Sequence, residues 1–270
     1  MTFAHRLLRK PLFGRFEVPW RMPEGVGESE WQRVSFASPT GATLIGLVAE
    51  AEANPVGTLV LAHPMGKAAK GFWLRYGHAE LFRRAGFHVF AFDFNGFGES
   101  EAVSFDYPSD ALAAGQFAQA RYPALPVGLV GASFGAGWGM CSMARAGSPY
   151  RAAVLEGLFP SLPDFWRHYP VAYACLRASQ FVWPKMEREL RPEREATRIV
   201  GRPDVLLVYG DADPFTPPAH GERMLRAMEG CTNAELWVLP NVEHTFAYRD
   251  QREAYAGRVV PFLRSSLQRA

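Results

Sequence analysis

Short, nearly continuous apolar runs recur along this chain, separated by stretches with helical spacing. Gly57 to Ala62, His88 to Phe92, Val127 to Val130, Ala152 to Gly157 and Val205 to Tyr209 are short and largely apolar. Each has the length and content of a strand buried on both faces. Glu235 to Leu239 reads as the last strand of this series. Upstream, Gln32 to Ser38 and Thr43 to Ala49 alternate partly polar and apolar around Ser38-Pro39-Thr40-Gly41, which predicts a hairpin. Helices are predicted over Phe72 to Ala85, Asp106 to Arg121, Gly137 to Ala146, Pro218 to Met228 and Tyr248 to Leu267. Strands alternating with helices imply an α/β fold: a mostly parallel eight-stranded sheet with helices on both faces.

The rhythm breaks between Phe159 and Val200. That stretch combines prolines with the aromatics Phe159, Phe165, Trp166, Tyr169, Tyr173, Phe181 and Trp183, and no strand is evident. It predicts a short helical cap insert over the strand ends. The chain then divides into an N-terminal extension (1–30), a core (31–158 and 201–270) and the insert (159–200).

Composition narrows the classes without naming one. A chain of 270 residues, 48% hydrophobic and 21% charged, is globular and has ample material for a buried core. A net charge of +2 gives no reason to propose nucleic acid as a partner. Three widely spaced cysteines, Cys141, Cys175 and Cys231, fit a reducing compartment and not a disulfide framework. No Cys-x-x-Cys or His-x-His grouping suggests a metal. No apolar run reaches the roughly 18 residues of a spanning helix, so no stable membrane insertion is expected. The segment Met1 to Trp20 is broken up by Arg6, Arg9, Lys10 and Arg15 and lacks the apolar core of a signal peptide. A cytoplasmic location follows as the expectation, with this basic arm packed on the domain in preference to a membrane surface. The oligomeric state is not encoded in these patterns.

The chemistry concentrates at Val127 to Gly137. A buried strand runs into Gly131-Ala132-Ser133-Phe134-Gly135 and then into a small-residue helix. Strand, tight turn and helix form the context in which Gly-x-Ser-x-Gly is a nucleophile elbow. Gly131 and Gly135 are required because a Cβ at either place would meet neighbouring backbone. A serine hydroxyl needs a base, and the base needs an orienting acid. In such a sheet, chemistry gathers past the carboxyl ends of the strands. Gly210-Asp211-Ala212-Asp213-Pro214 follows one late strand, and Glu243-His244-Thr245-Phe246 follows the next. Of the seven histidines, His244 alone lies on a late loop of this kind. Asp213 is the favoured acid. Asp211 is read as a loop brace, and Glu156 is a lesser candidate. The tetrahedral oxyanion needs two backbone N–H donors. Phe134 supplies one. In the loop His63-Pro64-Met65-Gly66, Pro64 has no N–H, so Met65 is the second donor and Gly66 the reserve.

Rival chemistries fit less well. Gly135 to Gly139 does not complete a dinucleotide fingerprint, no phosphate-cradling loop occurs, and no cofactor is called for. A dehalogenase would need aspartate where Ser133 stands. Met65, Phe72, Trp73, Phe134, Trp138, Phe159 and Trp166 are read as pocket lining for apolar or aromatic groups of small to medium size. Lys67, Lys70 and Arg75 are read as solvated surface.

Five segments in this order resemble the α/β-hydrolase superfamily: His63 to Gly66, Asp93 to Ser100, Gly131 to Gly135, Gly210 to Pro214, and Glu243 to Phe246. The resemblance runs from about Val34 to Leu267 and is nearest to the small-capped serine aminopeptidase-like and acyl-hydrolase branch. It implies Ser133 as nucleophile, Asp213 as acid, His244 as base, and Met65 and Phe134 as oxyanion donors. One departure is Pro64, where many relatives carry glycine. The expected activity is hydrolysis of a small-molecule carboxylic ester. The alternatives are an amidase, thioesterase or acyltransferase built on the same residues, or a non-catalytic binding module.

Overall fold

The computed structural model describes residues 9–10, 13–16, 18–182 and 191–269. Of the residues singled out above, Arg6 and Trp183 lie outside these. An eight-stranded sheet runs in the order β1-β2-β4-β3-β5-β6-β7-β8. β1 (Gln32–Ala37) and β2 (Thr43–Ala49) form the antiparallel hairpin, and β2 joins β4 (Phe87–Phe92) antiparallel. β4, β3 (Gly57–Ala62), β5 (Val127–Ala132), β6 (Tyr150–Glu156), β7 (Asp204–Gly210) and β8 (Asn233–Leu239) are mutually parallel.

Every residue of β3, β4 and β5 is buried. Side chains alternate across a strand, so an apolar run fills two cores at once. Val60, Phe90, Phe92, Leu129 and Leu207 face one core with Trp138 and Met224; Leu59, Leu61, Val89, Val130 and Val208 face the other with Trp73, Phe82 and Tyr255.

The helices depart from the sequence reading where the backbone must turn. The helix expected over Phe72 to Ala85 is two, α1 (Gly71–Arg75) and α2 (His78–Arg84), because Gly77 adopts φ 80°. That turn drops His78 into the core. α3 spans Tyr107–Arg121. α4 (Phe134–Met143) begins directly after Ser133, three residues earlier than expected, since the Ser133 carbonyl already accepts the Gly137 N–H at 3.0 Å. The stretch 159–200 contributes α5 (Leu162–Phe165), α6 (Pro170–Val182) and α7 (Pro192–Ala196). α8 (Pro218–Ala227) precedes β8. The closing helix is split at Gln251 into α9 (Ala247–Asp250) and α10 (Arg252–Gln268). Among the described residues no helix is long and apolar enough to cross a membrane.

Candidate active site

β5 ends in a turn so tight that Ser133 takes φ 50°, ψ −112°. A non-glycine residue there is strained. Its neighbours explain why the turn persists. The Ser133 N–H donates to the Glu156 carbonyl at 2.7 Å, tying the elbow to the end of β6. A Cβ on Gly135 would lie 2.0 Å from the Ala62 carbonyl oxygen, and one on Gly131 would lie 2.8 Å from Ala136. Only glycine lets the strand and helix approach this closely.

The turn aims Ser133 Oγ at His244, whose Nε2 lies 2.7 Å away. His244 Nδ1 lies 2.6 Å from Asp213 Oδ2. A carboxylate oxygen accepts, so Nδ1 carries the ring proton and Nε2 is left to accept from the serine hydroxyl. Asp213 is buried, and its other oxygen accepts the Phe215 and Thr216 N–H groups at 2.8 and 3.0 Å. Burial works against its charge, but the hydrogen bonds from His244 and Thr216 prevail and hold the carboxyl below its ordinary value. The three side chains are drawn from loops after β5, β7 and β8.

Composition alone did not reveal two further parts of this arrangement. Thr216 Oγ1 donates to Asp213 Oδ2 at 2.5 Å and lies 3.3 Å from His244 Nδ1, so it braces the carboxylate on the side facing the imidazole. The signal was the Asp-Pro-Phe-Thr turn itself, in which an aspartate commonly accepts from the following backbone. Phe165 and Phe215 stack on each other and place their rings 5.6 and 5.5 Å from the imidazole. Asp211 is the loop brace expected of it, accepting the Asn241 N–H at 2.6 Å.

The amides of Met65 and Phe134 lie at the ends of β3 and β5, which are hydrogen-bonded neighbours. The Phe134 N–H is the first of α4, a position with no intrahelical acceptor. His63 is fully buried and spoken for, with Nδ1 2.8 Å from the Pro64 carbonyl and Nε2 accepting the Phe94 N–H at 3.2 Å.

The pocket reading needs correction. Trp73, Trp138 and Phe159 are 0, 1 and 1% exposed and present no surface to a ligand. Phe72 packs on Trp73, Tyr76 and His78 in the core facing α10. Trp138 stands against Phe134, Tyr107 and Phe159 in the opposite core. Aromatics beside a strand end serve core and pocket equally well, and here α1 turns Phe72 and Trp73 inward, α4 turns Trp138 inward, and the loop after β6 packs Phe159 against Trp138. Met65 and Trp166 remain half-buried. Lys70 is also corrected: it is fully buried, not solvated.

Glu156 does not reach the histidine as an acid. Its Oε1 accepts the Ala247 N–H at 2.9 Å, pinning the loop that carries His244, and its buried Oε2 has no hydrogen-bond partner. Burial, helped by the charges of Asp213 and Asp250, pushes its carboxyl up to about 7 against the Ala247 hydrogen bond. Between the ordinary value of 4.5 and about 7 the folded chain keeps a proton that the unfolded chain has lost. Stability from this group therefore falls as pH rises through that window. Glu156→Gln removes the dependence. Relative to wild type, the variant should gain on the order of 2–3 kcal/mol between pH 5 and pH 8, read from melting curves at each pH. A stability difference that is the same at both pH values would refute the assignment.

An eight-stranded sheet of this order, with a serine at a strained strand-to-helix turn hydrogen-bonded through histidine to aspartate, defines an α/β-hydrolase. Residues 53–198, more than half of the chain, match the family described as serine aminopeptidase, S33, and the chain belongs to that family. Residues 172–268 also match the TAP-like protein family. No match was found among proteins of curated function. An esterase of Pyrococcus furiosus superposes with a TM-score of 0.75 at 18% identity, over 92% of this chain and 99% of its own. A thermostable carboxyl esterase of Bacillus coagulans superposes at 0.67 with 16% identity, over 88 and 99%. An α/β serine hydrolase of Xanthomonas campestris described as lacking a lid superposes at 0.62 with 20% identity, over 90 and 98%. At these identities the likeness is one of fold.

Proposed function

We propose that the chain hydrolyses carboxylic esters of small to medium apolar or aromatic groups through an acyl-enzyme at Ser133. The observation that carries this reading is the unbroken chain Ser133 Oγ to His244 Nε2 at 2.7 Å and His244 Nδ1 to Asp213 Oδ2 at 2.6 Å. Ser133 attacks the ester carbonyl as His244 takes its proton. Asp213 steadies the resulting imidazolium, and the amides of Met65 and Phe134 receive the oxyanion. The alcohol leaves with the proton from His244. Water, activated by the same imidazole, then releases the acid. No metal or organic cofactor enters these steps. The segment 159–200 acts as a cap, a reading supported by the packing of Phe165 on His244.

The matched family is described by peptide cleavage, so an aminopeptidase is the natural rival. Such an enzyme holds the substrate's ammonium with a carboxylate. In the insert, Asp164 and Glu193 both pair with Arg223, at 3.3 and 2.6 Å, and Glu195 pairs with Arg198 at 3.2 Å. Among the described residues, the acids of the insert are thus already engaged by arginines, which favours neutral esters. Glu187 and Glu189 lie outside the described residues. The deciding experiment is a panel of p-nitrophenyl esters, aryl thioesters and aminoacyl p-nitroanilides. Esters should give the highest kcat/KM by at least about tenfold, each tenfold step being 1.4 kcal/mol of transition-state stabilisation. Faster turnover of the aminoacyl anilides would replace this reading with the peptidase one.

A further inference from the structure

The loop that carries the Met65 amide is clamped at both ends onto a single neighbour, the loop after β4. At its start, His63 accepts the Phe94 N–H. At its end, the Lys70 N–H donates to Asp93 Oδ1 at 2.9 Å, while Lys70 Nζ donates to Asp93 Oδ2 at 2.5 Å and to Glu99 Oε2 at 2.7 Å. Trp20 closes the top. Its ring centroid lies 3.8 Å from Nζ, and its indole N–H donates to the Ala68 carbonyl at 3.3 Å. Between the clamps the backbone is strained, with Ala69 at φ 46°.

The receiving loop is itself fixed. The Glu99 N–H donates to Asp93 Oδ2 at 3.0 Å, and a Cβ on Gly98 would lie 2.2 Å from that oxygen. Glu99 also pairs with Arg33 at 3.0 Å. Burial opposes the Glu99 charge, yet Lys70 and Arg33 together hold its carboxyl below the ordinary range.

A fully buried lysine is a poor device for stability alone. Desolvating an ammonium costs several kcal/mol, and apolar replacements of buried ion pairs are often neutral or stabilising. What the pair of carboxylates does supply is direction, since three hydrogen bonds from one residue end on three oxygens of two fixed carboxylates. Oxyanion donors act only when held within a fraction of an ångström. We propose that Lys70 is a positioning residue for the reaction above: clamped between Asp93 and Glu99 under Trp20, it fixes the loop that presents the Met65 amide to the oxyanion. The inference rests on the hydrolase reading of Ser133 and names a support of that site. It also gives the N-terminal segment a task, because Trp20 seals the lysine from water.

The test is Lys70→Met, assayed with p-nitrophenyl butyrate and with an aryl trifluoromethyl ketone, whose adduct on a serine places an oxyanion in the hole. Loosening one of two donors should lower kcat about 30-fold, part of the 10²–10³ lost when a donor is removed outright. KM should stay within about threefold, and ketone affinity should weaken by the same factor as kcat/KM. A merely structural lysine would lower the folded fraction without moving these two constants in parallel. If Lys70→Met does not fold, Glu99→Gln decides in its place, with an expected five- to tenfold loss in kcat by the same argument. A folded variant with kcat within twofold of wild type overturns the proposal. Equal turnover by wild type and Ser133→Ala would instead overturn the hydrolase reading, and this inference with it.

Discussion

Alanine at position 133 should leave about one part in 10⁵ of the wild-type kcat for p-nitrophenyl butyrate, a loss of the size seen when a triad nucleophile is removed. The side chain deleted is small and its surroundings are already shaped by other atoms. The strain at φ 50° belongs to the backbone, held by the Glu156 carbonyl and by the close approaches at Gly131 and Gly135. Alanine inherits the same turn, so the melting temperature should move by no more than a few degrees. Labelling by a fluorophosphonate probe should disappear together with turnover. Retention of either in well-folded protein would place the nucleophile elsewhere and end the mechanism.

Asp213→Asn should lower kcat by about 10⁴, because it reverses the imidazole tautomer. The direction follows from the donors around the carboxylate. Oδ1 accepts two backbone N–H groups, from Phe215 and Thr216, so in asparagine the carbonyl oxygen must take that place. The amide NH2 is then forced into the position of Oδ2, facing His244 Nδ1. It donates to Nδ1, the ring proton moves to Nε2, and the base can no longer accept from Ser133. The fold should survive, since every backbone donor keeps its acceptor. Steady-state kinetics with an unchanged circular dichroism spectrum is the check. A loss smaller than tenfold would remove the acid role from Asp213.

Much of this was legible in the sequence because the decisive features are local. The apolar runs from Gly57 to Ala62 and Val127 to Val130 read as strands because they are short, almost wholly apolar and bounded by turn residues, as a strand buried on both faces must be. The elbow is written in two glycines that leave no space for a Cβ. What escaped was set by contacts between distant segments. Lys70 reads as surface until Asp93, Glu99 and Trp20 converge on it. Trp73 and Trp138 carry the same apolar signal whether they line a pocket or fill a core, and only the break at Gly77 and the early start of α4 decide the direction they face. Phe165 and Phe215 reach His244 from segments 50 residues apart in the chain, with no periodicity to announce it. Thr216 was overlooked for a different reason: its hydroxyl matters only once the imidazole arrives.

Six non-glycine residues among those described hold positive φ: Asn54, Ala69, Ser133, Arg202, Asn241 and Thr245. Four of them, Ala69, Ser133, Asn241 and Thr245, sit in the three loops that frame the site. Each such residue costs about 1–3 kcal/mol, and a β-branched threonine is among the least suited. Heat therefore finds an early target. These loops can relax to commoner backbone shapes while the sheet beneath them is intact, so thermal inactivation should set in below the temperature at which the body of the protein melts.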